Sequence, residues 1–159
     1  MAARVQISVI GGGDCSAAVA QSAEELGSEI ARRGAILVCG GLGGVMAAAA
    51  AGARRAGGLT VGILPSYDRM SANSFVDIVL PTGMGHARNL VVVAAGDAVI
   101  ALPGEHGTAS EIALALTLGK PVVAFGAWEH VVGIEIATTV PSAAELAMSR
   151  ARARLDSTP

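Results

Sequence analysis

The stretch Leu102-Pro103-Gly104-Glu105-His106-Gly107-Thr108-Ala109-Ser110-Glu111 decides the fold of this chain. It follows the apolar run 98–101 and precedes a helical pattern over residues 112–118. A buried strand is therefore predicted to run into a glycine-rich turn that opens a helix. Such a turn directs backbone N–H groups and the positive end of a helix dipole at one point, which suits an anion.

Two interpretations fit this turn. In the first, Gly104 and Gly107 let the backbone approach a phosphate, to which the Thr108 hydroxyl donates a hydrogen bond. In the second, Thr108 is the N-cap of the helix, and Glu111, three residues later, completes a capping box. The capping box gives the two glycines no role. We therefore favour a phosphate-binding site.

Strands and helices alternate along the rest of the chain. Continuous apolar runs predict strands, and amphipathic or alanine-rich runs predict helices. The predicted strands are 5–10, 35–39, 59–64, 76–80, 97–102, 121–125 and 133–139; the predicted helices are 17–33, 45–56, 86–95, 112–118 and 142–155, with a surface loop at 66–74. Strands that are apolar on both faces are typical of a parallel sheet covered by helices on both sides. We predict one α/β domain over residues 1–159, Rossmann-like and doubly wound, with a mostly parallel sheet.

The composition restricts the classes of partner. Of the 159 residues, 52% are hydrophobic and only 15% are charged, against about 25% charged residues in typical soluble domains. We therefore expect surplus apolar surface to be buried in a homodimer or higher homo-oligomer. The net charge of −2, without a broad basic patch, argues against nucleic acid. No apolar run is long enough for a membrane span and no signal peptide is evident, so we expect a cytoplasmic protein without membrane contacts.

The turns after parallel strands lie on one edge of the sheet. We therefore expect the glycine-bearing turns 11–13, 40–44, 82–85 and 103–107 to line one crevice that holds a flat, phosphorylated ligand. A metal site is not predicted, because the two cysteines lack metal-ligand spacing.

Several known phosphate-binding chemistries do not fit the sequence. Residues 11–16 lack the third glycine of GxGxxG, and the second strand ends without the acidic residue that binds a ribose. No P-loop motif GxxxxGK[ST] occurs. The only lysine, Lys120, precedes a strand at the opposite edge of the sheet, which excludes a pyridoxal-phosphate decarboxylase mechanism.

Arg88 and Glu111 are the candidates for chemistry. Each lies within about one turn of the start of a predicted helix that begins at the crevice. An arginine there can bind a phosphate or orient a ribose, and a carboxylate can act on a water or sugar hydroxyl during cleavage of a glycosidic bond. The alternative is a structural ion pair between the two side chains. His86 could bind a ligand or cap its helix.

These motifs resemble the LOG ("lonely guy") family, whose members are often labelled lysine decarboxylases. The PGGxGTxxE loop of that family is similar to residues 103–111, its GGGxxGLMG to residues 39–47, and its MHxRK to residues 85–89. The resemblance covers about residues 5–126. It implies a Rossmann-like dimer whose active members hydrolyse nucleoside 5′-monophosphates to a free base and ribose 5-phosphate. Arg88 and Glu111 would then be catalytic, and the loop with Thr108 would take the phosphate.

The chain departs from the LOG pattern at two informative positions. Asn89 stands where the family has lysine, and Glu105 replaces the second glycine of PGG. A carboxylate at Glu105 weakens phosphate binding unless it turns away. Residues 62–65 and 82–89 look more like a sister branch that includes the molybdenum-cofactor carrier proteins, which bind a phosphorylated pterin without known chemistry on it.

Two hypotheses follow. The first, which Asn89 and Glu105 favour, is a binding or carrier protein for a small phosphorylated ligand, either molybdenum cofactor or a nucleotide such as a nucleoside monophosphate, without a required cofactor. The second, which Arg88 and Glu111 favour, is a LOG-type phosphoribohydrolase. In both, the predicted ligand-binding residues are Gly12, Gly13, Gly41, Gly44, Met46, His86, Asn89, Gly104, Gly107 and Thr108.

Overall fold

A computed structural model describes residues 4–157, so the two ends of the predicted domain, 1–3 and 158–159, lie outside the described residues. Within that part of the chain, strands and helices alternate as the apolar runs predict, except that no α-helix separates the third strand from the fourth or the sixth from the seventh. The strands are β1 Gln6–Ile10, β2 Ile36–Cys39, β3 Thr60–Leu64, β4 Ile78–Pro81, β5 Ala98–Ala101, β6 Val122–Phe125 and β7 Glu135–Ala137. The helices are α1 Ala17–Arg32, α2 Val45–Arg55, α3 Arg88–Ala95, α4 His106–Thr117 and α5 Val140–Asp156.

These strands form one sheet in the order β4-β3-β2-β1-β5-β6-β7. Every neighbouring pair is parallel, so the sheet is parallel throughout rather than mostly so. The strand order reverses at β1, which lies between β2 and β5. This is the doubly wound, Rossmann-like arrangement, which confirms the predicted fold class and opens a crevice at the carboxyl ends of the central strands.

Successive residues of the central strands contribute to two separate hydrophobic layers. In β2, Leu37 and Cys39 pack in the layer formed with α1, α2 and α5, whereas Val38 packs in the layer formed with α3 and α4. In β5, Val99 and Ala101 belong to the second layer. Burial on both faces explains why these strands are continuously apolar.

Helices α1 and α2 meet with almost no side chain between them. A Cβ atom added to Gly27 would lie 1.9 Å from the Ala49 carbonyl oxygen, and one added to Gly52 would lie 1.8 Å from the Glu24 carbonyl oxygen. The Ser28 hydroxyl donates to the Gly52 carbonyl at 3.0 Å. Glycine at both positions therefore fixes how closely α2 approaches α1, and with it the position of the turn before α2.

Two helix boundaries near the crevice differ from the prediction. Helix α4 begins at His106, so the glycine-rich segment forms its first turn instead of a loop before residue 112. Helix α3 begins at Arg88, after a short 3₁₀ turn at Gly85–Ala87. Another 3₁₀ turn, Arg69–Ser71, lies in the predicted loop 66–74.

The exposed apolar side chains concentrate on one part of the surface. Between residues 67 and 90 they are Tyr67, Met70, Phe75, Ile78, Leu80, Met84 and Leu90. Most belong to the edge strand β4 and the segments beside it. None of the helices within residues 4–157 has the length and apolar character needed to cross a membrane. The predicted homo-oligomer remains a prediction, and this surface is where we expect its contact.

Candidate functional site

A cavity of about 270 Å³ lies at the carboxyl ends of β1 and β2, beside α3 and α4. Nine of the twelve predicted site residues line it: Gly12, Gly13, Met46, His86, Arg88, Asn89, Gly107, Thr108 and Glu111. The other lining residues are Val9, Ile10, Gly11, Asp14, Gly40 and Glu105. The topology therefore brings together side chains that are up to a hundred residues apart in the sequence.

Gly41, Gly44 and Gly104 are the three predicted residues that do not line the cavity. Gly44 has a φ of +61°, and a Cβ atom on it would lie 2.3 Å from the Gly12 carbonyl oxygen. A Cβ atom on Gly104 would lie 2.1 Å from the Thr108 hydroxyl and 2.9 Å from the Gly12 nitrogen. Gly41 has a φ of +76°, and a Cβ atom on it would lie 2.7 Å from the Cδ2 atom of Leu64. The three glycines allow the turns to meet.

Backbone hydrogen bonds connect these turns. The Gly12 N–H donates to the Pro103 carbonyl at 2.9 Å, and the Val45 N–H donates to the Gly12 carbonyl at 3.0 Å. The turn after β1 is therefore bonded both to the turn after β5 and to the start of α2. Because the bonds run between backbone groups, the relative positions of these turns do not depend on flexible side chains.

Thr108 lies in the first turn of α4 and not at its N-cap. The N-cap is Glu105, whose side chain makes no capping hydrogen bond. The predicted capping box of Thr108 and Glu111 is therefore wrong. The Thr108 side chain is 3% exposed, and no hydrogen-bond partner for its hydroxyl occurs among residues 4–157. This hydroxyl is available to a molecule in the cavity.

Arg88 is 8% exposed and forms part of the cavity wall. Its Nη1 donates to the side-chain oxygen of Asn89, and its Nη2 donates to the Gly40 carbonyl at 3.2 Å. The Nε is buried and has no partner in the described part of the chain. Burial lowers the pKa of the guanidinium, and the nearby Glu111 charge opposes that effect. Arg88 is therefore held in position by two hydrogen bonds, while its buried Nε–H has no acceptor among residues 4–157.

Glu111 is 7% exposed at the cavity wall. Burial raises the pKa of its carboxyl group to about 7, and the positive charge of Arg88 only partly offsets this. Across residues 4–157, neither an ion pair nor a hydrogen bond holds the carboxyl group. The alternative of a structural ion pair with Arg88 is therefore not formed. Glu111 is placed to exchange a proton near neutral pH.

The remaining polar residues of the cavity differ in exposure. Asn89 is 5% exposed, and only its side-chain oxygen is hydrogen-bonded within the described residues, by Arg88. His86 is exposed in the 3₁₀ turn before α3, and the N-cap of α3 is Ala87. His86 is therefore not the cap of that helix. Because Arg88 bonds only the side-chain oxygen of Asn89, the amide nitrogen of Asn89 is available to hydrogen-bond a ligand.

Sequence reasoning did not select Gly40 and Asp14 as site residues. The carbonyl of Gly40 holds Arg88, and a Cβ atom there would lie 2.7 Å from Nη2 of Arg88 and 2.6 Å from the Met46 sulfur. Its position directly after a predicted strand was a usable signal. Asp14 comes directly after the Gly11–Gly13 turn that follows the first strand, and it also lines the cavity.

The model of the SLOG cluster4 family matches residues 4–153. Among curated relatives, an uncharacterized protein of Archaeoglobus fulgidus is 49% identical over 118 residues, which is 74% of this chain and 78% of that protein. The cytokinin riboside 5′-monophosphate phosphoribohydrolase of Mycobacterium tuberculosis is 38% identical over 122 residues, covering 70% of this chain. This chain matches only 65% of the length of that enzyme.

Two solved structures are similar over nearly their whole length. The molybdenum cofactor binding protein of Rippkaea orientalis is 37% identical, with a TM-score of 0.89 over 92% of this chain and 97% of that one. The molybdenum cofactor carrier protein of Chlamydomonas reinhardtii is 35% identical, with a TM-score of 0.84 over 94% of this chain and 99% of that one.

Proposed function

This chain belongs to the SLOG cluster4 family, and we propose that it is a binding or carrier protein for a small phosphorylated ligand. The observation that carries the proposal is the Nε of Arg88, a buried donor without a partner among residues 4–157, in the wall of a cavity. Buried N–H groups are nearly always hydrogen-bonded, and an unpaired one needs an explanation. A bound anion would supply the missing acceptor.

The surroundings of Arg88 support a phosphate as that anion. Helix α4 directs the positive end of its dipole and its free N–H groups toward the cavity, and Gly107 leaves its first turn uncovered. The hydroxyl of Thr108 adds a further donor. An arginine, a hydroxyl and a helix N-terminus are the groups that bind phosphate in proteins.

The relatives support two candidates for the organic part of the ligand. The two molybdenum cofactor proteins match more than nine-tenths of this chain, whereas the match to the M. tuberculosis enzyme covers 70% of it. We therefore propose molybdenum cofactor or a nucleotide, with Asn89 and His86 contacting the ring system. The amide nitrogen of Asn89 can donate to an acceptor of a pterin or a purine.

A binding experiment tests this function. We expect molybdenum cofactor, or one of a panel of nucleoside monophosphates, to raise the melting temperature of the protein. Replacing Arg88 with glutamine should weaken binding by about tenfold or more, because a charge-assisted hydrogen bond is worth roughly 1.5–3 kcal/mol. Arg152→Gln, an exposed arginine on α5, is the matched control. If no ligand in the panel raises the melting temperature, the proposal is wrong.

A second candidate function is hydrolysis of the N-glycosidic bond of a nucleoside 5′-monophosphate. The specific observation in its favour is Glu111, a buried carboxyl group without a partner in the described chain whose pKa is raised to about 7. A group of that pKa can accept a proton from water or from a sugar hydroxyl at neutral pH. Arg88 would hold the ribose 5-phosphate during the reaction.

Chromatography of the reaction products tests the second candidate. Release of a free base from a nucleoside monophosphate, lost in Glu111→Gln while ligand affinity stays within about tenfold, would establish a phosphoribohydrolase. The exposed Glu129→Gln is the control for the loss of one carboxylate. Absence of base release from a protein that still binds the nucleotide would leave the binding function alone.

A further inference from the structure

Carboxyl groups outnumber lysine and arginine side chains in the lining of the cavity. Asp14, Glu105 and Glu111 contribute three carboxyl groups, and the only lysine or arginine in the lining is Arg88. A site for a phosphate is expected to have the opposite balance. The donors of this site are instead backbone N–H groups and a hydroxyl, which carry no net charge.

Glu105 is the acidic residue most closely connected with the anion-binding groups. It is the N-cap of α4, directly before the first turn that contains Gly107 and Thr108. Its side chain does not cap the helix, and no hydrogen bond or ion pair to the rest of residues 4–157 engages the carboxylate. It is exposed and lines the cavity. A phosphate at the N-terminus of α4 would therefore have this negative charge beside it.

We propose that Glu105 is a specificity-determining residue, which makes the site prefer a phosphate esterified on both sides over a terminal phosphate. The inference rests on the function proposed above and adds the class of ligand. A phosphodiester has one negative charge, whereas a terminal phosphate has close to two at neutral pH, because its second pKa is about 6. Whether the ligand is a pterin or a nucleotide, we therefore expect the site to prefer a compound whose phosphate is esterified to a second group.

The size of this preference follows from the Coulomb energy of one additional charge. For two unit charges about 4 Å apart, this energy corresponds to about a fivefold change in a binding constant in water and to a larger change at a partly screened protein surface. Because Glu105 is exposed, we take the lower end. One extra negative charge on the ligand should then weaken binding by about fivefold to tenfold.

Calorimetric titration with AMP and with its 5′-phosphate methyl ester tests the inference. The two probes share base and ribose and differ by one charge at the phosphate. The titrations use chelator-treated buffer, which removes divalent cations, and product analysis confirms that each probe stays intact. We expect the wild-type protein to bind the methyl ester about fivefold to tenfold more tightly than AMP. In Glu105→Gln, this ratio should fall to about one, mainly because AMP binds more tightly.

Glu129→Gln removes an exposed carboxylate that does not line the cavity and should leave the ratio unchanged. Equal affinity of the wild-type protein for both probes would overturn the inference and leave the proposed function intact. The same holds if the ratio is unchanged in Glu105→Gln. Failure of both probes to bind would contradict the nucleotide form of the proposed function, and the inference with it.

Discussion

Replacing Glu111 with glutamine should change how the stability of the protein depends on pH. In the folded chain, burial raises the pKa of Glu111 from 4.5 to about 7. Between these values the unfolded chain has released the proton and the folded chain still holds it, so the free energy of unfolding falls as the pH rises. At about 1.4 kcal/mol for each pH unit, the complete fall is about 3 kcal/mol, and it ends above pH 7.

Glutamine resembles the protonated carboxyl group at every pH, so the variant lacks this fall. The free energy of unfolding of Glu111→Gln, minus that of the wild type, should therefore increase by about 2.5 kcal/mol between pH 5 and pH 8. Groups that titrate in both proteins cancel in this difference. Any constant effect of the amide on packing shifts the difference equally at each pH.

Urea denaturation at pH 5, 6, 7 and 8 measures the difference, in buffers without phosphate so that no anion enters the cavity. Thr108→Val is the control, because it changes the same cavity wall without removing a titratable group, and its difference from the wild type should not depend on pH. A Glu111→Gln difference that stays constant within about 0.5 kcal/mol would refute the reasoning. It would mean that burial at Glu111 does not raise the pKa of the carboxyl group in the folded protein.

Three further predictions concern the turns, the arginine and the surface. Gly44→Ala should destabilise the fold by roughly 2–4 kcal/mol in urea denaturation, because a Cβ atom at a φ of +61° would lie 2.3 Å from the Gly12 carbonyl; a loss below about 1 kcal/mol would contradict this. Arg88→Lys should still weaken AMP binding in calorimetry by about tenfold, because a lysine cannot bond Asn89, the Gly40 carbonyl and a ligand together; unchanged affinity would show that charge alone suffices. Light scattering at micromolar concentration should show a homo-oligomer for the wild type and a monomer for Leu80→Asp, because Leu80 is 45% exposed on the edge strand β4. A monomeric wild type would contradict the expected oligomer.

The fold could be predicted from the sequence because the two covered faces of the sheet leave a strong pattern. Strands such as 35–39 and 121–125 are continuously apolar, and glycine ends the intervening helices. The start of α4 was harder to place. His106, Gly107 and Thr108 are weak helix formers, and their helical conformation depends on the contact of Gly104 with the turn after β1. A sequence window does not contain that tertiary contact.

The sequence predicted most of the residues that lie in the site, but it did not predict the hydrogen bonds between them. The rule that parallel strands place their turns on one edge, together with the resemblance to the LOG family, predicted nine of the residues that line the cavity. Whether Arg88 would pair with Glu111 could not be decided from spacing. The sequence likewise does not reveal that Arg88 bonds its own neighbour Asn89 and the carbonyl of Gly40. The bond to Gly40 joins two turns that are far apart in the sequence, and their relative position is a tertiary feature that spacing does not contain.

The lining side chains have more influence on ligand choice here than the scaffold has. The scaffold is fixed by backbone contacts, such as the hydrogen bond from the Gly12 N–H to the Pro103 carbonyl, so little ordering is needed when a ligand binds. Affinity is then decided by the few groups that face the ligand. Asn89 and Glu105 are where this chain departs from the LOG pattern, and both lie in the cavity. Replacing a lysine by an amide and a glycine by a carboxylate both make the site less positive. Under the proposed function, the two departures therefore act in the same direction, away from a highly charged phosphate and toward a ligand recognised by hydrogen bonds and shape.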